Sequence, residues 1–285
     1  VAQVAILTDS GASLPKTLTD EYSIRVVPLN LVVDGHTYPD SADDGGAFYE
    51  RLRSARKPPT TTSPSPGTYL EALREIAKET TSILCVTVGS QFSVTYQSAV
   101  RAGELLREAL PDLEIRVLDS QTGAMAQGFT VLAAARAVAQ GADLATAAAS
   151  AEALMPHVRV MACLDTLKFL ARGGRVPRVA AWASDLLQVK PIVELRQRQY
   201  HLLARTRTRR RALDRLLSLL EERQQDGRPM HLCVQHTDAL AEAERLAERV
   251  RASFQPAELY VQEFTRVMGA HTGPGLLALS FYCEP

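Results

Sequence analysis

Three segments of the chain gather side chains able to do polar chemistry. Met268–Gly275 (MGAHTGPG) sets His271 and Thr272 among three glycines and a proline. Glycine lets the backbone take positive φ and approach a ligand closely, and proline fixes φ. The segment is therefore read as a stiff hairpin or loop holding an imidazole and a hydroxyl in one place. Ordinary turn composition would also account for its glycines. Thr60–Gly67 (TTTSPSPG) and Gly89–Tyr96 (GSQFSVTY) have the same character. Three hydroxyl-rich loops so far apart in sequence suggest one shared polar site.

Each segment also has a purely structural use. The hydroxyls of Thr60–Gly67 can donate to an anionic or carbonyl group, while Ser65 or Thr68 can cap the helix that follows. Capping needs one hydroxyl and leaves the others available. Ser93 and Thr95 stand between a strand and a helix, where a serine caps and where helix N–H groups attract a carboxylate. A nucleophilic Ser93 working with His271 is the sharper alternative, but no GxSxG elbow surrounds it. Arg172-Gly-Gly-Arg175 offers backbone access beside forked cations suited to phosphate or carboxylate, and equally a basic helix C-cap. Arg205–Arg211 (RTRTRRR) is the densest positive run. It lacks the aromatic residues that nucleic-acid stacking uses, and a solvated helix face or a phosphate-facing patch explains it better.

The elements that must position these residues follow from periodicity. Val4–Thr8, Ile83–Val88 and Glu114–Leu118 read as buried strands, and Ile24–Val33 as an extended run ending in an Asp34-Gly35 hairpin turn. Helices are expected from Pro15, over Phe48–Leu52, Tyr69–Lys78 and Thr95–Leu110, and as two alanine-rich helices at Ala124–Gln140 and Asp143–Leu154. Strands alternating with such helices form βαβ units on a parallel sheet, with ligands at the strands' carboxyl ends. Asp9-Ser10, Ser90–Ser93 and Asp119-Ser120 would lie there. A boundary is placed near Met155-Pro156. Beyond it come a Val158–Leu164 strand, a short helix to Ala171, and an Ile192–Leu195/Tyr200–Leu203 hairpin. Helices at Thr208–Gln224 and Asp238–Ser253 and strands at His231–Gln235, Glu258–Gln262 and Leu276–Tyr282 complete an α+β half with a mixed sheet.

Bulk numbers narrow the class. The 285 residues suffice for two domains, and 46% apolar with 22% charged residues is a globular composition. Thirty-two basic residues balance 32 acidic ones, so no net field recruits nucleic acid or an anionic membrane. The four cysteines lie in strand-like runs without metal-ligand spacing and are expected as buried free thiols, which fits a reducing cytoplasm. Val1 leads directly into a strand without a basic region, so no signal peptide is expected. No apolar run reaches the ~18–20 residues of a membrane helix. GxGxxG, GxxxxGK and His-pair ligand spacings are absent, so no nucleotide cradle and no metal are expected.

Read in order, the motifs resemble the DegV family, the fatty-acid-binding subunits of bacterial fatty acid kinase. The matching pieces are Thr8-Asp-Ser10, Thr61–Gly67, Phe92–Tyr96, Asp119-Ser120, Leu167–Arg175 (LKFLARGGR), Lys190-Pro-Ile192, Arg207 and Gly269–Gly275 (GAHTGPG). They span nearly the whole chain. Val94 stands where the family more often has glycine, and Thr62-Ser63 replace its usual Ser-Gln. The resemblance implies an α/β fold of two domains: an N-terminal three-layer parallel-sheet domain, residues 1–155, and a C-terminal α+β domain with a mixed sheet, residues 156–285. It implies a long-chain fatty acid between them, its carboxyl group held by Thr61 and Ser93 with His271 nearby. Thr62, Thr95 and Thr272 would support them, and Arg175 and Arg207 would face phosphate or partner.

The chain would then present the acid to a separate kinase subunit without catalysing anything, and it would need no cofactor. Its expected partners are the fatty acid and the kinase catalytic subunit, with transient membrane contact allowed and no nucleic acid. An acyl tail gains roughly 0.8 kcal/mol per buried CH₂, so ~14 methylenes supply on the order of 10 kcal/mol before ordering costs. The rivals are a serine-dependent hydrolase or acyltransferase using Ser93 and His271, and a basic regulatory protein using Arg205–Arg211.

Overall fold

A computed structural model describes residues 4–40, 47–54, 59–174, 189–196, 198–224 and 227–285. The chain forms two compact units. One comprises Val1–Leu31, Thr37–Asp40 and Thr61–Pro156; the other comprises Val32–His36, Ser41–Thr60 and His157–Pro285.

The first unit is built on four parallel strands in the order β2-β1-β6-β7: β1 (Ala5–Asp9), β2 (Arg25–Val27), β6 (Ser82–Thr87) and β7 (Glu114–Asp119). On one face, Leu7, Ile83 and Cys85 pack with Tyr69, Leu73 and Ile76 of α3 (Pro66–Ile76) and Ala99, Ala102 and Leu106 of α4 (Thr95–Ala109). On the other, α5 (Ala124–Ala139) and α6 (Leu144–Leu154) pack on the strands. Both faces are covered, so β1 and β6 read as continuous apolar runs rather than alternating ones. The expected strand Ile24–Val33 is two strands, β2 and β3 (Asn30–Val33), in different sheets. Pro28 lies at the break and has no N–H to give a ladder. Asp34 and Gly35 both take positive φ, 50° and 83°, and turn the chain from β3 into β4 (His36–Pro39). A third sheet has the order β4-β3-β5, with β5 at Thr60–Thr62.

The second unit carries a six-stranded mixed sheet, β10-β9-β8-β13-β11-β12, antiparallel except for the β11–β12 pair. Its strands are β8 (Arg159–Cys163), β9 (Lys190–Arg196), β10 (Gln199–Thr206), β11 (Met230–His236), β12 (Glu258–Glu263) and β13 (Leu277–Cys283). Two amphipathic helices, α8 (Arg209–Glu221) and α9 (Leu240–Phe254), bury Leu216, Leu219, Leu220, Leu246 and Val250 against Ile192, Leu232, Val234, Leu279 and Phe281. Two short helices, α7 (Lys168–Gly173) and α10 (Arg266–Thr272), pack on each other. The short helix α2 (Ala47–Ser54) also belongs to this unit; an Arg53–Asp238 ion pair links it to the segment before α9. All four cysteines are buried free thiols, and burial holds the Cys163 thiol up at about 11.

His231 ties three strands together. It stands opposite Glu258 on β12 and Tyr282 on β13. Its Nδ1 lies 2.8 Å from Glu258 Oε2 and its Nε2 lies 3.0 Å from Glu284 Oε1, with the ring stacked on Tyr282 at 4.6 Å. Both nitrogens face carboxylates, and only the imidazolium can donate from both. Burial opposes that charge, but the two glutamates outweigh it and raise the pKa above 6.5. A raised histidine pKa stabilises the fold below the unfolded value, and the gain is lost as pH rises through the native one. His231→Gln should therefore cost about 1–2 kcal/mol below pH 6.5, limited by the exposure of Glu284, and progressively less above it. Urea unfolding of both proteins across pH measures the difference. A gap that widened with rising pH would contradict the charged clasp.

Candidate functional site

In the first unit the hydroxyl-rich segments divide between structure and availability. Ser65 is the N-cap of α3: its Oγ accepts the Thr68 N–H at 3.1 Å, and Pro66 takes the first turn, where a missing N–H costs nothing. The helix thus begins at Pro66, a turn earlier than a Pro-Gly breaker suggests. Thr60–Thr62 form a strand rather than a loop, with Thr61 half-buried and Thr62 exposed.

Between that strand and the cap lies Ser63, whose Oγ is 2.6 Å from Ser93 Oγ. Ser93 Oγ is in turn 2.5 Å from Thr95 Oγ1 and accepts the Thr95 N–H at 3.2 Å. Ser63, Ser93 and Thr95 therefore form a chain of three hydroxyls at the start of α4, the first two half-buried and Thr95 fully buried. Three protons serve two links, so one proton is left over. If the chain runs from Thr95 toward Ser63, that proton emerges at Ser63. Run the other way, it emerges at Thr95, and the two directions interchange by rotating hydroxyls. Such a chain can donate to a carboxylate or adapt to a protonated acid without moving a heavy atom. Sequence reasoning counted Ser63 among the hydroxyls but gave it no role; its place directly before Pro64 was the available signal.

The loop carrying Ser93 is pinned on both sides by the aspartates of the two Asp-Ser pairs. Asp119 accepts the Ser90 N–H at 3.0 Å and the Ser90 hydroxyl at 2.6 Å. Asp9 accepts the Val88 N–H at 2.7 Å. Ser10 faces away from this loop: its hydroxyl donates to Asp40 at 2.7 Å and accepts the Leu29 N–H. As the βαβ reading implied, Asp9, Ser90 and Asp119 gather where the parallel strands end.

In the second unit His271 is not in a loop. It occupies the last turn of α10, which ends at Thr272, and Gly273 follows at φ 79°. The Thr272 hydroxyl donates to the Met268 carbonyl at 3.0 Å, so its proton is spent inside the helix. The glycines are explained by close approach. A Cβ on Gly173 would stand 2.7 Å from His271 Nδ1, one on Gly273 would stand 2.1 Å from the Phe169 ring, and one on Gly269 would stand 2.5 Å from the Tyr49 hydroxyl. Gly173 of α7 thus admits the His271 imidazole, Gly269 of α10 admits the Tyr49 phenol of α2, and Gly273 admits the Phe169 ring. Thr237, unremarked in the sequence, closes the Gly273–Gly275 turn: its hydroxyl donates to Gly273 O at 2.5 Å and accepts the Leu276 N–H at 3.0 Å.

Arg175 lies outside the described residues. Gly174 before it is left-handed at φ 67°, the expected C-cap of α7. Arg207 is exposed in the turn between β10 and α8, and Arg205, Arg210 and Arg211 are exposed beside it. Arg209 is drawn inward by Glu242 at 3.0 Å. Among the described residues there is no group of three or more His, Cys, Asp or Glu arranged to hold a metal ion, and no helix is long and apolar enough to cross a membrane.

A parallel α/β sheet with a separate mixed sheet, and polar loops at the parallel strands' carboxyl ends, define a two-domain α/β protein. A family model described as an uncharacterised protein of the DegV family matches residues 3–284, and the chain belongs to the DegV family. It is 34% identical to a DegV domain-containing protein of Streptomyces coelicolor, over 97% of each chain. It is 30% identical to the DegV protein of Bacillus subtilis, over 97% of this chain and 98% of that one. The crystal structure of Bacillus subtilis DegV, described as a fatty acid binding protein, aligns over all of both chains with a TM-score of 0.89 at 29% identity. A DegV family protein from Thermus thermophilus, described for its fatty acid binding, aligns over 99% of this chain and 100% of its own, with a TM-score of 0.89 at 28% identity.

The glycine packing is directly testable. Gly273→Ala combines a positive φ with a collision against Phe169 and should lower stability by about 2–4 kcal/mol. Gly174→Ala, in the left-handed region at φ 67°, ψ 0° with open space around it, should cost only about 1–2 kcal/mol. At φ 79°, ψ 166° Gly273 occupies a region open essentially to glycine alone, so strain and collision add there. Denaturant unfolding of the two variants side by side checks the order; a Gly273→Ala loss no larger than that of Gly174→Ala would contradict it.

Proposed function

We propose that this chain binds one long-chain fatty acid by its carboxyl group and presents that group to a separate acyl kinase, without catalysing a reaction itself. Thr61, Ser93 and His271 are the residues we assign to the carboxyl group, and Ser63 and Thr95 complete the hydroxyl chain through Ser93. The observation that carries the reading is this chain of three hydroxyls at the head of α4. It offers a neutral, reversible donor to a headgroup that must be accepted first as a carboxylate and later as an acyl phosphate. Its occurrence in a family whose Bacillus subtilis and Thermus thermophilus members are described as binding fatty acid gives the reading its ligand. The contacts of Ser93 also favour binding over nucleophilic catalysis: its Oγ faces two hydroxyls and an amide N–H, none of them a base.

The tail supplies most of the affinity and the headgroup fixes orientation. Ser93→Ala should therefore weaken binding by about 1–2 kcal/mol, roughly six- to thirtyfold, rather than abolish it. Native mass spectrometry of the purified protein should show one fatty acid per chain. Calorimetry with palmitic acid on delipidated protein then gives the change for Ser93→Ala, with melting temperature as the control. No binding of any acid from ~12 to 20 carbons would overturn the reading. Unchanged affinity in Ser93→Ala would move the headgroup elsewhere. Arg207, exposed and outside the hydroxyl chain, is assigned with Arg175 to the kinase or the acyl phosphate. Arg207→Ala should spare palmitic acid affinity and lower phosphorylation in a reconstituted assay; full turnover would remove it from that role.

A further inference from the structure

Asp9, one of the two carboxylates that pin the Ser93 loop, is completely buried at the end of β1. Its carboxylate accepts three N–H groups from three different elements. Oδ2 takes the Val88 amide, at the end of β6, at 2.7 Å. Oδ1 takes the Gly11 amide, in the turn after β1, at 2.9 Å and the Gln127 side-chain amide, from α5, at 3.3 Å. Gln127 is itself held by Thr8, whose Oγ1 accepts its Nε2 at 3.1 Å. The fit is close: a Cβ on Gly11 would stand 2.7 Å from Asp9 Oδ1 and 3.2 Å from Val88 Cβ. Three converging donors favour the ionised carboxyl, which accepts all of them, whereas a protonated or amidated one loses acceptor capacity and places an O–H or N–H among them.

Val88 begins the loop that ends in Ser93. Downstream of it, Gly89 N–H donates to Thr122 O at 2.7 Å, Ser90 is bonded to Asp119, and Phe92 N–H donates to Gly89 O at 2.9 Å. The loop is thus a series of short fixed links whose first anchor is Asp9. We propose that Asp9 is a positioning residue for the Ser93 loop: ionised, it fixes the Val88 amide and the hydroxyl chain beyond it, and protonated, it releases both.

The groups that share its surroundings are Asp40 after β4, the Tyr69 phenol of α3 and the Cys85 thiol of β6, and none of them brings positive charge. Burial raises the Asp9 carboxyl to about 6, against the pull of Val88, Gln127 and Gly11, with Asp40 adding to the rise. A carboxyl raised in the folded state favours folding as pH falls through that value. The Val88 N–H is one of the groups that hold this pKa down, so a loop released from Asp9 while the carboxyl stays buried binds the proton more tightly, and acidification favours that released loop without weakening the unit as a whole. The effect on binding rests on the fatty-acid reading above; the effect on the loop does not.

The test uses the full-length, delipidated, ¹⁵N-labelled protein titrated from about pH 8 to 5. The amide resonances of Val88, Gly11, Ser93 and Thr95 should move together with one midpoint near 6, and Asp9→Asn should abolish that inflection in all four. Gln127→Met, which removes one donor to the carboxylate and leaves Val88 in place, should shift the common midpoint upward. It keeps the test decisive if Asp9→Asn does not fold. In parallel, palmitic acid affinity should fall about tenfold more steeply with acid in the wild type than in Asp9→Asn, the titration of the ligand being common to both. Ser93 and Thr95 amides that do not follow Val88 would overturn the proposal, as would a midpoint unmoved by Gln127→Met. A wild type that binds no palmitic acid at any pH would instead overturn the fatty-acid reading, and the amide titration would still decide the role of Asp9.

Discussion

The first unit depends on carboxylates that replace ladder partners where the parallel strands run out. At that edge each strand leaves amides with no neighbour, and an unpaired buried N–H costs on the order of 1–3 kcal/mol. Asp9 and Asp119 take up these amides from β6 and the loop after it, while Ser10 and Asp40 do the same for the segment at Leu29. The price is a fully buried carboxyl at Asp9, raised by desolvation and tolerable because three N–H groups converge on it. The outcome is a loop fixed well enough for Ser63, Ser93 and Thr95 to keep hydroxyl spacings of 2.6 and 2.5 Å.

The second unit solves its problem by leaving side chains out. The short helices α7 and α10 are too brief to be stable through their own hydrogen bonds, since helix nucleation is unfavourable and isolated short helices are marginal. They persist by packing, and packing at this distance requires glycine at Gly173, Gly269 and Gly273. Thr237 then fixes the turn by which the chain leaves α10 for β13. The imidazole of His271 consequently lies close against Gly173.

Much of this was legible in the chain itself. The period of the apolar residues located the strands of the parallel and the six-stranded sheets and the long helices to within a few residues, because burial on one face or both leaves its mark on every turn or alternate residue; the polar strands β4 and β5 of the third sheet carry no such mark. A cap at Ser65 or Thr68, of which the structure uses Ser65, Asp34-Gly35 as a turn and the four cysteines as buried thiols were equally readable, each resting on a property of one or two neighbouring residues. Errors came where a local signal had more than one use. Glycine and proline around His271 suggested a loop and instead allow a helix to pack closely. Pro28 split an apolar run into strands of two sheets. Pro66 opened a helix it was expected to precede.

The sequence by itself determined the types of groups available: neutral hydroxyls, one glycine-flanked imidazole, exposed arginines, and no nucleotide or metal motif among them. Tertiary structure alone decided which groups meet. Ser63 and Ser93 are thirty residues apart and Asp9 and Val88 seventy-nine, so no spacing rule links them. Tyr49 lies against Gly269, far along the chain, and nothing in its own neighbourhood announces that contact. Hydrogen bonds to buried carboxylates and contacts with missing Cβ atoms act over a few ångströms in space. Periodicity reports only which face of an element is covered, and the identity of what covers it is settled when the elements pack.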